Sequence, residues 1–432
     1  MPADSHERTP GPPFTFLDLF AGCGGLSLGL MRAGWQGLFA VEKDSFAFET
    51  LKTNLIDGAR EHQYEWPSWL TKAPANVGSI LKHHQKELAA LKGEVDLIAG
   101  GPPCQGFSLA GRRKRSDHRN QAIRHYFAVV KLVRPRLLLI ENVRGIAVPF
   151  GKKRRERENR QRIGRPAKAF SVRIQEELET LGYQVFPDIL RAMDFGVPQF
   201  RPRFIIIAIL TEKKHGCIDD PFKALVASRV PFLASKGLPS NTPVTVRDAI
   251  SDLELRGKEL IQCIDSPKFQ QLKYGGPQTV YQRLMNDGFG NNPNSMRLAH
   301  HAPETTARFE RILDRCRRGV QLNRKDRTAF GLNKHCTVPL DADKPCHTLT
   351  TLPDDILHYA EPRILTAREY ARLQSFPDWF EFRGKYATGG YLRTIECPRY
   401  TQIGNAVPPL VAECLGLLLK SIASARAEAA AA

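Results

Sequence analysis

Residues 14–30, FTFLDLFAGCGGLSLGL, indicate the fold first, because a short apolar run leads through glycines into a helical pattern. Residues 15–19 predict a strand and residues 26–32 predict a helix. Glycines between them allow the tight turn that joins a parallel strand to a helix beneath a ligand. The stretch therefore predicts the first strand, turn and helix of an α/β fold.

The same alternation continues to about residue 210, which is typical of a parallel sheet covered by helices. We predict a doubly wound, mostly parallel, Rossmann-like sheet. Further strands are predicted at 37–41, 95–99, 137–140, 185–190 and 204–209. Further helices are predicted at 46–54, 123–133 and 172–181.

The chain loses this alternation after residue 210 and stays irregular to about residue 349, with many Pro, Gly, Asn and basic residues. Helical patterns return at 366–373 and 407–422. We therefore predict a discontinuous catalytic and cofactor-binding domain, a smaller irregular domain inserted into it, and a flexible N-terminus. Their bounds are 14–211 with 351–432, 212–350, and 1–13.

Composition narrows the class of partner and the compartment. The net charge of +18 over 432 residues favours a nucleic acid first and an anionic membrane surface second. The nine cysteines are scattered without a CxxC pair, which favours reduced thiols. No signal peptide and no run of about eighteen apolar residues is present, so a soluble cytoplasmic protein is expected.

Cys104 lies in the segment GGPPCQGFS at residues 100–108, directly after a predicted strand. Prolines and glycines on both sides favour a thiol placed as a reagent over one that packs in a core. Two basic segments follow, at 112–119 and 152–168. The first would attract a phosphate backbone towards the cysteine, although each segment alone fits a solvated loop equally well.

The glycine turn at residues 18–25, DLFAGCGG, has features of a nucleoside site. Glu42 ends the next predicted strand, at about the spacing at which a carboxylate binds ribose hydroxyls. Ser27 replaces the third glycine of the dinucleotide fingerprint, and Asp18 beside the turn would repel a pyrophosphate but tolerate a cation. A cationic nucleoside such as S-adenosylmethionine fits better than NAD, and a purely structural turn is the third reading.

Polar residues also adjoin two later strands. Glu141 and Asn142 follow the strand predicted at 137–140, at the sheet edge where Cys104 is expected. Alternation predicts that Gln199, Arg201 and Arg203 share one face. A Glu-Asn pair after a strand is more often structural. These residues therefore indicate a functional site only together with the cysteine and the glycine turn.

Together these segments resemble the DNA (cytosine-5)-methyltransferases of bacterial restriction–modification systems. The segments that carry the resemblance occur in the family's order: DLFAGCGG, GGPPCQGFS, ENV, QFRPR, RILTAREYARLQSFPD and QIGNAVPP. They cover most of the chain outside residues 212–350.

The resemblance implies roles for individual residues. Cys104 would add to carbon 6 of cytosine, Glu141 would protonate or hydrogen-bond nitrogen 3, and Arg203, with Arg201 beside it, would contact the base. The cofactor would be S-adenosyl-L-methionine, bound by Phe20, Gly22, Gly24, Glu42, Ser79, Ile80, Asn405 and Val407.

One residue departs from the family pattern, and two pairs of His and Cys residues could suggest a zinc site. The family usually has an aspartate where this chain has Ser79, and a neutral hydroxyl would weaken cofactor binding by about 1 kcal/mol. The adjacent pairs His335-Cys336 and Cys346-His347 are not spaced for one tetrahedral zinc site, which favours an ordinary loop and no metal.

The resemblance also implies the partner. A cytosine stacked in a duplex must be flipped out before a side chain reaches carbon 6, and residues 212–350 would read the DNA sequence. Double-stranded DNA is the expected substrate, a cognate restriction endonuclease on a separate chain is a candidate partner, and a monomer suffices. The alternatives are a catalytically silent DNA-binding homologue and an RNA methyltransferase, although Gly106-Phe107-Ser108 matches the DNA branch.

Overall fold

The computed structural model describes residues 13–103, 120–147, 169–211, 219–332, 334, 336–388, 391–392 and 395–431. Several predicted features lie outside these residues. They are residues 1–12 of the N-terminus, residues 104–108 of the cysteine motif, both basic segments, and His335.

A six-stranded sheet with the order β2-β1-β3-β4-β6-β5 forms the centre of the protein. Strands β1 to β4 pair in parallel with one another. All six predicted strands are present, and the doubly wound, mostly parallel sheet is confirmed. The strands are β1 (Thr15–Leu19), β2 (Gln36–Val41), β3 (Leu97–Gly100), β4 (Leu137–Val143), β5 (Tyr183–Arg191) and β6 (Pro202–Leu210).

Strand β6 runs antiparallel to both of its neighbours, β4 and β5. Only residues 192–201 connect β5 to β6, and they contain one short 3-10 turn at Ala192–Phe195. A parallel pair needs a crossover of about a dozen residues or more. The short connection therefore turns the chain back on itself, which the alternation of apolar runs does not reveal.

Helices cover both faces of the sheet, and α3 and α4 are additions to the predicted set. The helices are α1 (Gly25–Arg32), α2 (Ser45–Leu55), α3 (Val77–His83), α4 (Gln85–Ala90), α5 (Asn120–Val133), α6 (Phe170–Thr180), α7 (Pro221–Ser235), α8 (Val246–Ile250), α9 (Val280–Asn286), α10 (Pro303–Arg315), α11 (Arg324–Ala329), α12 (Ala367–Leu373), α13 (Arg399–Asn405) and α14 (Pro409–Ala431).

Successive residues of the strands point to opposite faces and so divide the interior into two cores. In β1, Phe16 belongs to the core shared with α1, α2 and α14. Leu17 belongs to the core shared with α3, α4, α5 and α6. The strands are apolar on both sides because both sides are covered, which is typical of parallel sheets.

Residues 219–349 contain more helix than the predicted irregular domain. Helices α7 to α11 lie here, with an antiparallel pair of β7 (Leu260–Gln262) and β8 (Gln270–Leu272). Leu225 and Met285 pack in the same core as α1 and α14. The apolar residues of α7 are spread around the helix, and α8 and α9 are short. None of these three helices therefore shows helical periodicity in the sequence. The bounds 212–350 stay a prediction.

The end of the chain returns to the core that α1 and α2 share. Strands β9 (Val338–Pro339) and β10 (Ile356–Leu357) pair before α12. The stretch Arg399–Glu428 is long and apolar enough to cross a membrane, but 72% of its most apolar window is buried inside the protein. This burial is typical of a core helix, because α14 packs along α1.

Candidate active site

The turn between β1 and α1 has an unusual backbone. Phe20, Gly22 and Gly24 have positive φ angles of 67°, 57° and 94°. The Phe20 amide donates to the Val41 carbonyl at 2.9 Å, which holds the turn against β2. A Cβ at Gly22 would enter open space, whereas one at Gly24 would lie 2.9 Å from a methyl of Leu55. The turn therefore packs on α2 below and leaves an open cradle at Gly22.

Glu42 holds this cradle in shape. Its carboxylate accepts hydrogen bonds from the backbone amides of Gly22 at 2.9 Å and Asp44 at 2.8 Å. Burial raises the pKa of Glu42, and these two amides oppose the rise. Each carboxylate oxygen keeps a lone pair for a further donor. The arrangement fits the hydroxyls of a ribose above the turn.

Asp18 differs from the expectation that it faces the ligand. Its side chain is fully buried and accepts a hydrogen bond from the Ser27 hydroxyl at 2.6 Å. The Tyr64 hydroxyl in turn donates to Ser27 at 2.7 Å. Burial raises the pKa of Asp18 to about 7. Asp18 therefore belongs to the interior beneath α1 and does not present its charge at the turn.

The segment after α13 lies against the same turn. A Cβ at Gly25 would overlap the carbonyl oxygen of Val407, so this close approach requires glycine. Arg201 is 1% exposed and donates to the carbonyls of Gly404 at 3.0 Å and Ala406 at 2.8 Å. Burial lowers the pKa of Arg201. Arg201 thus anchors the segment that carries Asn405 and Val407, a role that its proximity in sequence to Arg203 does not suggest.

Ser79 and Ile80 lie in the first turn of α3. The Asn76 side chain caps this helix by accepting from the Ser79 amide at 2.9 Å. The Ser79 hydroxyl donates to the Asn76 carbonyl at 2.7 Å. Ile80 is 5% exposed and packs in the core that α3, α4, α5 and α6 share. Both side chains are engaged by the protein itself, and their contact with a cofactor stays a prediction.

Glu141, one of the residues predicted for catalysis, lies where the parallel pairing of three strands ends. Leu19, Gly100 and Ile140 are register partners in β1, β3 and β4. The residues that follow them therefore lie side by side: the glycine turn and Gly101 leave the sheet, while Glu141 continues β4 beside β6. This is the edge at which open α/β sheets bind ligands.

Glu141 and Arg203 form an ion pair at this edge. Glu141 Oε1 lies 2.9 Å from Arg203 Nε, and the side chains are 12% and 15% exposed. Burial lowers the pKa of Arg203, against the attraction of Glu141. A Cβ at Gly101 would lie 3.3 Å from Glu141 Oε2. The carboxylate is thus held by Arg203 on one side and reaches the start of the cysteine segment on the other.

Asn142 connects β4 to the same segment. Its side-chain amide donates to the Pro102 carbonyl at 2.9 Å, and both groups are buried. This contact holds the start of the cysteine segment against β4. Cys104 itself lies outside the described residues, two positions after Pro102.

Comparison with known proteins identifies the family. Residues 14–421 match the family described as C-5 cytosine-specific DNA methylase. The chain belongs to this family. The predicted family and the enzyme class, DNA (cytosine-5)-methyltransferase, are therefore confirmed.

Individual relatives of this methylase agree along nearly its whole length. The type II methyltransferase M.DdeI of Desulfomicrobium norvegicum is 32% identical over 92% of this chain and 86% of its own. M1.HphI of Haemophilus parahaemolyticus is 31% identical over 93% of this chain and 85% of its own. A solved DNA modification methyltransferase from an E. coli prophage is 25% identical, with a TM-score of 0.61, over 95% of this chain and 99% of its own.

One supporting cluster of the methylase has no clear signal in the sequence. Arg372 of α12 contacts Asp378 at 2.6 Å and Asp252 at 3.1 Å, and all three side chains are fully buried. The cluster ties α12 to residues that follow α8. The RLQSFPD segment includes Arg372 and Asp378, but nothing in the sequence marks Asp252 as their partner.

The described part of the methylase contains no group of three or more His, Cys, Asp or Glu side chains that could hold a metal ion. Cys346 is buried and Cys336 is partly buried. Burial raises the pKa of both thiols. Burial therefore favours the protonated thiol at both positions, and a protonated thiol is a poor metal ligand.

Proposed function

We propose that this methylase transfers a methyl group from S-adenosyl-L-methionine to carbon 5 of a cytosine flipped out of a specific duplex DNA sequence, through a covalent adduct of Cys104 at carbon 6. The observation that carries the proposal is the convergence of the Gly22 cradle, Gly101 and the Glu141–Arg203 pair at one sheet edge. The methyl donor and the target cytosine would lie within reach of Cys104, the residue that follows Pro103.

The residues at the cradle fit the proposed cofactor. The Glu42 carboxylate would accept from the ribose hydroxyls, and the open space at Gly22 leaves room for the ligand against the backbone. When bound, S-adenosyl-L-methionine supplies an electrophilic methyl group on a sulfonium. We assign the remaining contacts to Phe20, Gly24, Ser79, Ile80, Asn405 and Val407.

Covalent catalysis answers the weak nucleophilicity of carbon 5. Addition of the Cys104 thiolate to carbon 6 forms a C–S bond and moves a ring electron pair towards carbon 5. A proton donated to nitrogen 3 by Glu141 would neutralise the ring, and carbon 5 would then take the methyl group while the neutral thioether of the donor leaves. Loss of the carbon 5 proton to a base would return the electron pair to the ring and expel the thiolate, and nitrogen 3 would return its proton to Glu141.

Arg203 and Arg201 support this chemistry in different ways. Arg203 contacts Glu141 directly and would orient its carboxyl towards the base. Arg201 would act on the cofactor side, since it holds the carbonyls of Gly404 and Ala406. Arg203 lies in β6 and Arg201 directly precedes it, so both side chains are pre-positioned and little reorganisation is needed when substrate binds.

Double-stranded DNA is the proposed substrate, and residues 212–350 are proposed to read its sequence. The charge of +18 suits this polyanion. Because the similar proteins named above are type II methyltransferases, a restriction endonuclease on a separate chain is a proposed partner. We further propose that the enzyme acts as a monomer in the cytoplasm.

A methyl-transfer assay tests the proposal. Wild-type protein, labelled S-adenosyl-L-methionine and mixed-sequence duplex DNA should yield 5-methylcytosine, and Cys104→Ser should yield none. DNA with 5-fluorocytosine at the target should remain bound to wild-type protein through denaturation, because fluorine at carbon 5 cannot leave as the proton does. Transfer without such trapping would contradict the Cys104 adduct.

The two alternatives give different results in the same assay. A silent homologue would bind DNA but transfer no more label than Cys104→Ser. An RNA methyltransferase would prefer transfer RNA when both substrates compete for one limiting pool of enzyme. We expect duplex DNA to take most of the label.

A further inference from the structure

We propose that the cleft between α5 and α6 binds the phosphodiester backbone of the DNA substrate, with Arg124 and Arg173 as the phosphate contacts. This inference rests on the proposed function and extends it to residues outside the catalytic edge. The cleft has a volume of about 360 Å³, and its described lining comes from residues of these two helices. We call it the α5–α6 cleft.

The charges in the α5–α6 cleft are arranged along its length. At one end Lys131 and Glu177 form an ion pair of 2.8 Å, so they neutralise each other. Towards the helix N-termini lie Arg124 and Arg173, both exposed. Neither guanidinium has an ion-pair or hydrogen-bond partner among the described residues. Within the described part of the chain, the cleft therefore presents on one side two cations that no carboxylate neutralises.

Topology places these arginines at the catalytic edge of the sheet. Helix α5 is the next helix after β3, and α6 is the next after β4. In a doubly wound fold such helices begin at the edge where the parallel strands end. Arg124 and Arg173 each lie within the first five residues of their helix. They thus occupy the same side of the protein as Gly101 and Glu141.

The helix end adds to the positive potential. Helix α6 has no side chain that caps its N-terminus, so the partial positive charge of that end is not neutralised by a carboxylate of the helix. Phosphate groups bind readily at such ends when basic side chains are also present. The first turn of α6 lines the cleft through Phe170 and Arg173.

The floor of the cleft is apolar. Phe127 of α5 is 9% exposed and packs in the core that α3, α4, α5 and α6 share, and Phe170 of α6 packs against that core. Phosphates above and apolar rings below match the anionic oxygens and the apolar sugar face of a DNA strand. DNA is the polyanion that the family acts on, so we assign the cleft to DNA.

Charge removal at the cleft tests this inference. We would prepare Arg124→Ala, Arg173→Ala and the double variant, and measure affinity for a labelled mixed-sequence duplex between about 50 and about 200 mM salt. Each arginine that neutralises one phosphate contributes about 0.9 to the slope of log K against log salt, so the double variant should lose about 1.8. Its affinity at low salt should fall at least about tenfold.

Arg136→Ala is the matched control. Arg136 precedes β4, at the opposite edge of the sheet, is half exposed and contacts Asp96 at 3.5 Å. It removes the same charge, and we expect its salt slope to equal that of the wild type. The double substitution to lysine keeps both charges and should keep most of the slope.

The outcomes separate this inference from the proposed function. If wild-type protein methylates duplex DNA but the double alanine variant keeps its salt slope, the cleft does not bind phosphate and the inference fails alone. A loss of slope in Arg136→Ala of the same size, or in the lysine variant, would also overturn it. If wild-type protein transfers no methyl group to DNA, the proposed function fails first.

Discussion

Glu141 combines burial, an ion pair and a position beside the cysteine segment. The side chain is 12% exposed and Arg203 holds one oxygen at 2.9 Å. Glu141→Gln keeps the size and hydrogen-bonding shape of the side chain but removes the group that we propose as the proton donor to nitrogen 3. We expect kcat to fall about 10²-fold or more, because general acid catalysis contributes about 10²–10⁴-fold. Methyl transfer to duplex DNA measures the effect.

The control for this substitution is Glu49→Gln, an exposed glutamate on α2. Its kcat should equal that of the wild type. Cofactor affinity of Glu141→Gln should also be unchanged, since Glu42 and the turn are untouched. A Glu141→Gln protein with wild-type kcat would contradict the role proposed for this carboxyl.

Asp18 predicts a pH dependence of stability. Burial raises its pKa from 3.8 to about 7 in the folded protein, so folding favours the protonated form. Asp18 therefore contributes stability that is fully present below about pH 4 and is lost as the pH rises through about 7. A shift of about three pKa units corresponds to about 4 kcal/mol lost well above pH 7. Asp18→Asn cannot ionise and should not lose this stability.

Denaturant unfolding at a series of pH values measures this effect. Relative to Asp18→Asn, the wild-type free energy of unfolding should decline between about pH 4 and about pH 8. Asp57→Asn, at an exposed carboxylate after α2, should follow the wild-type curve. Parallel curves for wild type and Asp18→Asn would show that Asp18 ionises in the folded protein as easily as in the unfolded chain.

At the scale of elements, α1 and α14 approach each other through a glycine. A Cβ at Gly29 would overlap the Ala412 methyl and lie 2.7 Å from the Glu413 amide nitrogen. Gly29→Ala gains about 1 kcal/mol of helix propensity but should cost more through overpacking, which reaches about 3 kcal/mol. We expect a lower Tm, measured by thermal unfolding.

Gly275→Ala is the control for this prediction. Gly275 lies in a loop, its backbone φ is not positive, and a Cβ there meets nothing within 4 Å. Its Tm should stay at the wild-type value. An equal or higher Tm for Gly29→Ala would mean that the two helices separate without loss.

Elements also show which sequence signals were sufficient. The six strands of the sheet and helices α1, α2, α5 and α6 follow from apolar runs and glycine turns, so they appear near their predicted places. The direction of β6 did not follow, because direction depends on the length of the connection at 192–201. Helices α8 and α9 were missed because they are too short to show a period of 3.6 residues.

At the scale of the whole molecule, the last helix completes a core that begins at the first strand. Trp35 donates to the Gly416 carbonyl at 2.8 Å, and buried residues of this core extend to Ala423. A chain ending at Ser424 should therefore unfold cooperatively with wild-type stability. A chain ending at Pro408 lacks α14 and should not fold.

Tryptophan fluorescence during denaturation tests this prediction. The chain that ends at Ser424 should show one transition at the wild-type midpoint, and the chain that ends at Pro408 should show no cooperative transition. Cooperative unfolding of the shorter chain would mean that residues up to Pro408 form a sufficient core by themselves.

The sequence by itself determined the order of strands, turns and motifs, and therefore the family and the α/β class. These features are local: apolar periodicity, glycines at tight turns, and short motifs in a given order. The sequence did not show which distant residues meet. Sheet order and register decided the Glu141–Arg203 pair, the anchoring of Gly404 and Ala406 by Arg201, and the α5–α6 cleft, because such contacts arise only when elements far apart in the chain pack together.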